Sequence, residues 1–271
     1  MPIVFAAAVS HAPGITAWPE AAPAEQRDNL SAGFSRLAAD LRAAKVDAVV
    51  LLTSEHWVNF FLDHVGAFCV GRADAYTGPV EPFLRIDRRE QAGAAELGGR
   101  IVAAAYENGF EPSYSFDLEF DHGTMVPLHL LEIGKDVPVV PIFFNTLVAP
   151  QPSAARSYDF GRVIGRALAS EKQRIGLIAS GGLSHDPGEL RHGIIDSSFD
   201  DLFMRRMERG DAAGLRGYSN ADFAAAGAGA FELLAWIALQ GAIEGARGHK
   251  LAYEAVVPWA TGMGLMEFEV A

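Results

Sequence analysis

Residues 3–53 read IVFAAAVSHAPGITAWPEAAPAEQRDNLSAGFSRLAADLRAAKVDAVVLLT, and the architecture turns on the pattern they contain. The two ends, Ile3–Val9 and Ala48–Thr53, are short, apolar and bounded by turn residues, as buried strands are. Between them Leu30, Phe34, Leu37, Leu41 and Ala44 recur at three- and four-residue steps, which predicts a helix over roughly Glu25–Lys45. The same alternation continues along the chain. Strands are expected at Val137–Asn145 and Arg174–Ser180, and helices over Arg89–Asn108, Ser157–Ser170, Ser198–Arg209 and Ala221–Gly245. The last carries a capping box, Ser219-x-x-Asp222, just ahead of its apolar run. Strands alternating with helices predict an α/β layered fold with a largely parallel central sheet. No internal repeat or low-complexity linker marks a boundary, and Ala149–Ser153 reads as a loop, so residues 1–271 are expected to form a single domain.

Composition narrows the function classes. Half of the 271 residues are hydrophobic and 21% are charged, which excludes disorder as the main state. Lys and Arg total 22 against 34 Asp and Glu, a net charge of −12. Nucleic-acid affinity rests on neutralising phosphates with Lys and Arg, so a polyanion partner is not expected. The single cysteine, Cys69, lies in the apolar run Ala67-Phe68-Cys69-Val70, leaving no intrachain disulfide and no Cys-based zinc site. The N-terminal run lacks a basic region and is broken by Ser10-His11, unlike a signal peptide. The apolar segment around 223–243 contains Glu232 and several glycines, which suits a buried helix better than a membrane span. These features predict a soluble, cytoplasmic protein with no membrane partner.

Common cofactor signatures are missing. Gly227-x-Gly229 and Gly262-x-Gly264 lack the third glycine of a dinucleotide fingerprint, and no Walker A or HExxH pattern occurs. Gly182-Leu183-Ser184-His185 is followed by Asp186 where a serine nucleophile elbow requires glycine.

The histidines are the informative residues. His11 follows the first predicted strand, His56 the second, and His185 the one ending at Ser180. Ligands of open α/β sheets bind beyond the carboxyl ends of the strands, so these imidazoles are candidates for one pocket. His122 lies in the polar turn Asp121-His122-Gly123-Thr124, where Asp121 is placed to tune a neighbouring imidazole. His64, His129, His192 and His249 read as surface or packing residues. Glu232, in Phe231-Glu232-Leu233-Leu234-Ala235-Trp236, has no Lys or Arg within a helical turn. A buried charge there needs a partner such as a metal, the alternative being a solvent-facing stripe.

Ser10-His11-Ala12-Pro13, Glu55-His56 with Asn59-Phe60-Phe61, Asp121-His122-Gly123, Ser180–His185 and Phe231–Trp236 together resemble the class III, LigB-type extradiol ring-cleavage dioxygenases. The match runs in the family's order over nearly the whole chain. The resemblance implies a single αβα sandwich, with His11, His56 and Glu232 as ligands of a non-haem Fe(II). It implies His185 as the acid/base group and His122 as a second proton-transfer or hydrogen-bonding residue. The implied reaction opens a dihydroxylated, catechol-type aromatic next to its hydroxyls with O₂, in aromatic catabolism. Glu55 departs from the family's Asp. Gln151–Arg156 resembles the protocatechuate 4,5-dioxygenase catalytic chain, while other segments also fit the 2,3-dihydroxyphenylpropionate enzymes. A homo-oligomer is therefore expected, with or without a separate small subunit. Trp57, Phe60, Phe61 and Phe83 are either core residues or candidates to wall a ring-sized pocket. The rival readings are a LigB-like protein with a binding or redox-signalling role, and a zinc hydrolase using the same histidines.

Overall fold

The apolar runs become strands, and their alternating side chains supply both faces of one sheet. The computed structural model describes residues 2–188 and 190–270. In chain order its elements begin with β1 (Ile3–Val9), α1 (Gly14–Ala17), α2 (Ala24–Ala44), β2 (Ala48–Ser54), β3 (Phe68–Gly71), β4 (Ala75–Gly78) and β5 (Arg89–Ala92). Next come α3 (Ala95–Glu107), β6 (Ser113–Ser115), α4 (His122–Leu130), β7 (Val139–Phe144), α5 (Ala154–Ala169) and β8 (Ile175–Ser180). The chain closes with α6 (Ser197–Arg209), α7 (Ala212–Arg216), α8 (Asn220–Ala226), α9 (Leu233–Ala242), β9 (Gly248–Val256) and β10 (Thr261–Phe268).

The eight-stranded sheet has the order β6-β3-β7-β2-β8-β1-β10-β9, with β4 and β5 forming a separate antiparallel pair. Its centre, β7-β2-β8-β1, is parallel, while β3, β10 and β9 join antiparallel to their inner neighbours. Central strands buried on both sides explain why they read as unbroken apolar runs. Val50 and Leu52 point into a core shared with α3, α5 and α9, and Val49 and Leu51 into one shared with α2 and α4. Helices thus cover both faces, giving the expected α/β sandwich.

Helix α9 is buried along its whole length. Helix α5 crosses it at close range because Gly161 carries no side chain. A Cβ there would lie 1.8 Å from the Ala238 carbonyl oxygen.

Two predicted helices are divided. The Arg89–Asn108 segment begins as strand β5, whose Gln91 amide donates to the carbonyls of Gly134, Lys135 and Val137. The Ala221–Gly245 segment starts as α8, with the Ser219–Asp222 capping box in place, and breaks at Gly227. There φ is +123°, and any Cβ would meet the His185 carbonyl oxygen at 2.1 Å. A 3₁₀ turn, Ala228–Glu232, follows the break and leads into α9. Glu232 therefore sits at the entry of the apolar helix and not within it.

Candidate functional site

Strands β2, β8 and β1 are adjacent, so the residues just beyond their carboxyl ends converge. His11, His56 and His185 meet there, joined by His122 from the start of α4 and by Glu232 from the turn before α9. Each imidazole is fixed through Nδ1. His56 donates to Asp121 Oδ2 at 2.9 Å, and His185 donates to the Leu183 carbonyl at 2.7 Å. The His122 partner is Glu81 Oε1 at 2.6 Å, and the His11 partner is Ser180 Oγ at 2.8 Å. With Nδ1 engaged, Nε2 is the atom left for chemistry.

The Nε2 atoms gather on one carboxylate. His11 Nε2 lies 3.1 Å from Glu232 Oε2, and His56 Nε2 lies 3.1 Å from Oε1. His185 Nε2 is 3.6 Å from Oε1, and the Gly182 N–H donates to Oε2. Glu232 is buried at 3% exposure, which rules out the solvent-facing stripe. One nitrogen of each of His11, His56 and His122 falls in a group spanning no more than 4.8 Å, close enough to share a metal ion. His56 and His122 stack at 4.0 Å between ring centres.

The protonation pattern is divided: Glu232 and His11 suit a cation, and His56 would give up a proton to one. Burial dominates at His11 and lowers its pKa, although Glu232 pulls the other way. Burial also works against the His56 imidazolium, but Asp121 and Glu232 raise its pKa well above the ordinary value. For Glu232, burial favours the neutral acid, yet His11 and His185 hold the carboxyl well below the usual range. Asp121 drops to about 2, since the neighbouring imidazoles overcome its burial. An anionic Glu232 beside an unprotonated His11 is the state a metal requires.

The pocket over these groups has a volume of about 310 Å³, and Trp18, Trp259, Pro13, Pro258, Pro187 and His192 complete its lining. The aromatic wall expected from Trp57, Phe60, Phe61 and Phe83 is not the one observed. The Glu55 carboxylate accepts the backbone N–H groups of Trp57, Val58 and Asn59. That tight turn carries the chain away from the pocket. Trp57 and Phe60 border a separate void of about 30 Å³, while Phe61 and Phe83 are exposed. Glu55 thus shapes a loop, and the carboxylate on His56 belongs to Asp121, 65 residues away. His192, read as a surface residue, faces the pocket from the loop after Pro187. Glu81, Trp18 and Trp259 carry no motif and follow none of the strands expected from the sequence, so the sequence held no signal for them.

Comparisons with known proteins bear on the family and the fold. A family model described as the catalytic LigB subunit of aromatic ring-opening dioxygenase matches residues 5–264. A 2,3-dihydroxyphenylpropionate/2,3-dihydroxicinnamic acid 1,2-dioxygenase of Photorhabdus laumondii is 32% identical over 162 residues, 57% of this chain and 48% of the relative. The chain thus spans about half the length of that relative. An enzyme of the same name from Paraburkholderia phymatum is 26% identical over 272 residues, 81% of this chain and 83% of its own. Among solved structures, an uncharacterized protein from Escherichia coli K12 superposes with a TM-score of 0.64 at 16% identity. The superposition covers 98% of this chain and 100% of that one, a likeness of fold.

Proposed function

The chain belongs to the LigB family of extradiol ring-cleavage dioxygenases, and on that footing we propose that it opens a catechol-type aromatic beside its two hydroxyls, using a non-haem Fe(II) and O₂. Residues 1–271 act as one catalytic domain in this reading. The observation that carries it is the meeting of His11 and His56 Nε2 on opposite oxygens of Glu232. His11 Nε2 is buried 3.1 Å from Glu232 Oε2 yet makes no well-aligned hydrogen bond among the described residues. Such an orphaned nitrogen is costly unless a ligand takes its lone pair. Two imidazoles and one carboxylate form the donor set of open-sided iron sites, so His11, His56 and Glu232 fit the metal. When bound, the ion supplies a shared centre on which catecholate and O₂ are held together.

The protein's own groups move the protons. His185 Nδ1–H is committed to the Leu183 carbonyl, so Nε2 carries the lone pair that takes a substrate hydroxyl proton and returns it during ring opening. His122, held by Glu81, is the second proton-transfer or hydrogen-bonding group. The three-histidine grouping favours one alternative ligand set, with His122 replacing Glu232.

Metal content settles the ligand set. His11→Ala, His56→Ala and Glu232→Ala should each lose iron while keeping the fold, and His122→Ala should keep iron. Iron retained in Glu232→Ala and lost in His122→Ala would install the alternative. Oxygen uptake by the anaerobically iron-loaded protein on catechols, with none consumed on any of them, would sink the dioxygenase reading. Among the described residues no helix is long and apolar enough to cross a membrane. Our reading places the enzyme in the cytoplasm as a homo-oligomer, with or without a small subunit.

A further inference from the structure

We propose that the pocket selects uncharged catechols bearing an apolar ring substituent, an inference that rests on the ring-cleavage reading above. Beyond the histidine cluster the lining includes Trp18, Trp259, Pro13 and Pro258 with Thr261 and His192 beside them, and no Lys or Arg is among the described residues lining the pocket. The Trp259 indole N–H donates to the Trp18 carbonyl at 3.3 Å. Its ring lies so close to the backbone of Gly14 that a Cβ there would fall 2.3 Å from Trp259 Cδ1. The wall is therefore set by packing. On its outer side the Trp18 ring sits 5.9 Å from that of Phe83, and both are partly exposed.

The arginine in the loop beside the pocket is occupied. Arg191, in the loop between Pro187 and His192, is bound to Asp186 Oδ2 and to the carbonyls of Ala224 and Ala225. A carboxylate-bearing arm lying against the two tryptophans would lose its hydration with no lysine or arginine to replace it. An alkyl or aryl arm would gain burial on the same surface. A pocket of about 310 Å³ is at the small end of ligand sites, suiting one ring with a compact substituent. The relatives' printed names carry the charged arm, so the two ligand types give a direct contrast.

The test is anaerobic binding to the iron-loaded full chain, read by quenching of tryptophan fluorescence. The probes are 3-phenylcatechol and 3-(2,3-dihydroxyphenyl)propionate. The uncharged probe should bind about 100-fold more tightly, the scale of an uncompensated buried charge. Trp18→Ala should cut that preference about tenfold by removing the apolar contact. Equal or tighter binding of the propionate, binding of neither probe, or an unchanged preference in Trp18→Ala would each overturn the inference. Oxygen uptake on unsubstituted catechol, measured on the same sample, tests the ring-cleavage reading separately. Its absence alongside an intact binding preference would fault that reading and leave the selectivity standing.

Discussion

Glu232 shows how a single side chain is fitted to a metal and how its neighbours divide the work. Each imidazole around it is steered by a different Nδ1 acceptor, and the chemistry falls to Nε2. Removing an acceptor should therefore act at a distance. Asp121→Asn keeps the shape but gives His56 Nδ1 a neutral partner in place of an anion. Metal affinity should fall by about 10- to 100-fold with the fold intact, measured by competition with a chelator. His185→Phe should behave differently, keeping iron and catechol binding while single-turnover ring cleavage falls by about 10²-fold or more. Loss of iron in that variant would make His185 a ligand, and wild-type turnover would remove it from the mechanism. The strand-end histidines and Glu232 were legible in the sequence because each stands beside an apolar run. Glu81 was not, because its tie to His122 spans 41 residues and depends on where the β4–β5 connection passes.

The central strands were legible because burial on both faces leaves an unbroken apolar signature. Strands β9 and β10 were not foreseen, and β9 shows why. Its Gly248-His249-Lys250-Leu251-Ala252 start buries only its two ends, exposes His249 and Lys250, and so shows no two-residue period. A half-exposed edge strand offers a weak pattern against turn-like residues. Helix breaks were hidden for a related reason, since Gly227 is forced by the His185 backbone, which lies elsewhere in the sequence. The α5–α9 crossing gives a test of such imposed glycines. In Gly161→Ala the new Cβ meets backbone, which cannot swing aside, and overpacking of this kind costs about 1–3 kcal/mol. The melting temperature of the metal-free protein should drop by several degrees. Gly134→Ala, exposed and with only Val137 within 4 Å at 3.9 Å, should stay within about 0.5 kcal/mol of wild type. Equal melting of the two variants would mean that α5 is free to withdraw.

The order of the strands brings the site together, and the back of the site is tied to the rest of the molecule through Asp200. This α6 carboxylate is fully buried and accepts Ser184 N–H at 2.8 Å, Ser184 Oγ–H at 2.9 Å and Tyr253 O–H at 2.8 Å. It therefore joins the β8 loop that carries His185 to α6 and β9. No Lys or Arg forms an ion pair with it among the described residues, and burial raises its pKa to about 6 despite those hydrogen bonds. An ordinary Asp in the unfolded chain titrates at 3.8. Between these values the folded protein keeps a proton that the unfolded chain releases, so unfolding gains from rising pH. The stabilising contribution is fully present below about pH 4 and is lost as the pH climbs through 6. A gap of two pKa units corresponds to about 3 kcal/mol. Asp200→Asn cannot titrate, yet it keeps an acceptor for Ser184 N–H and lets the two hydroxyls rotate to meet its amide. Relative to this variant, wild type should lose up to about 3 kcal/mol of unfolding free energy between pH 4 and 6, then run parallel above pH 7. The histidine cluster is common to both proteins, so its own titration cancels in the difference. Urea unfolding of the metal-free pair across this range measures the gap directly, and a difference that is flat with pH would show that Asp200 is ionised throughout.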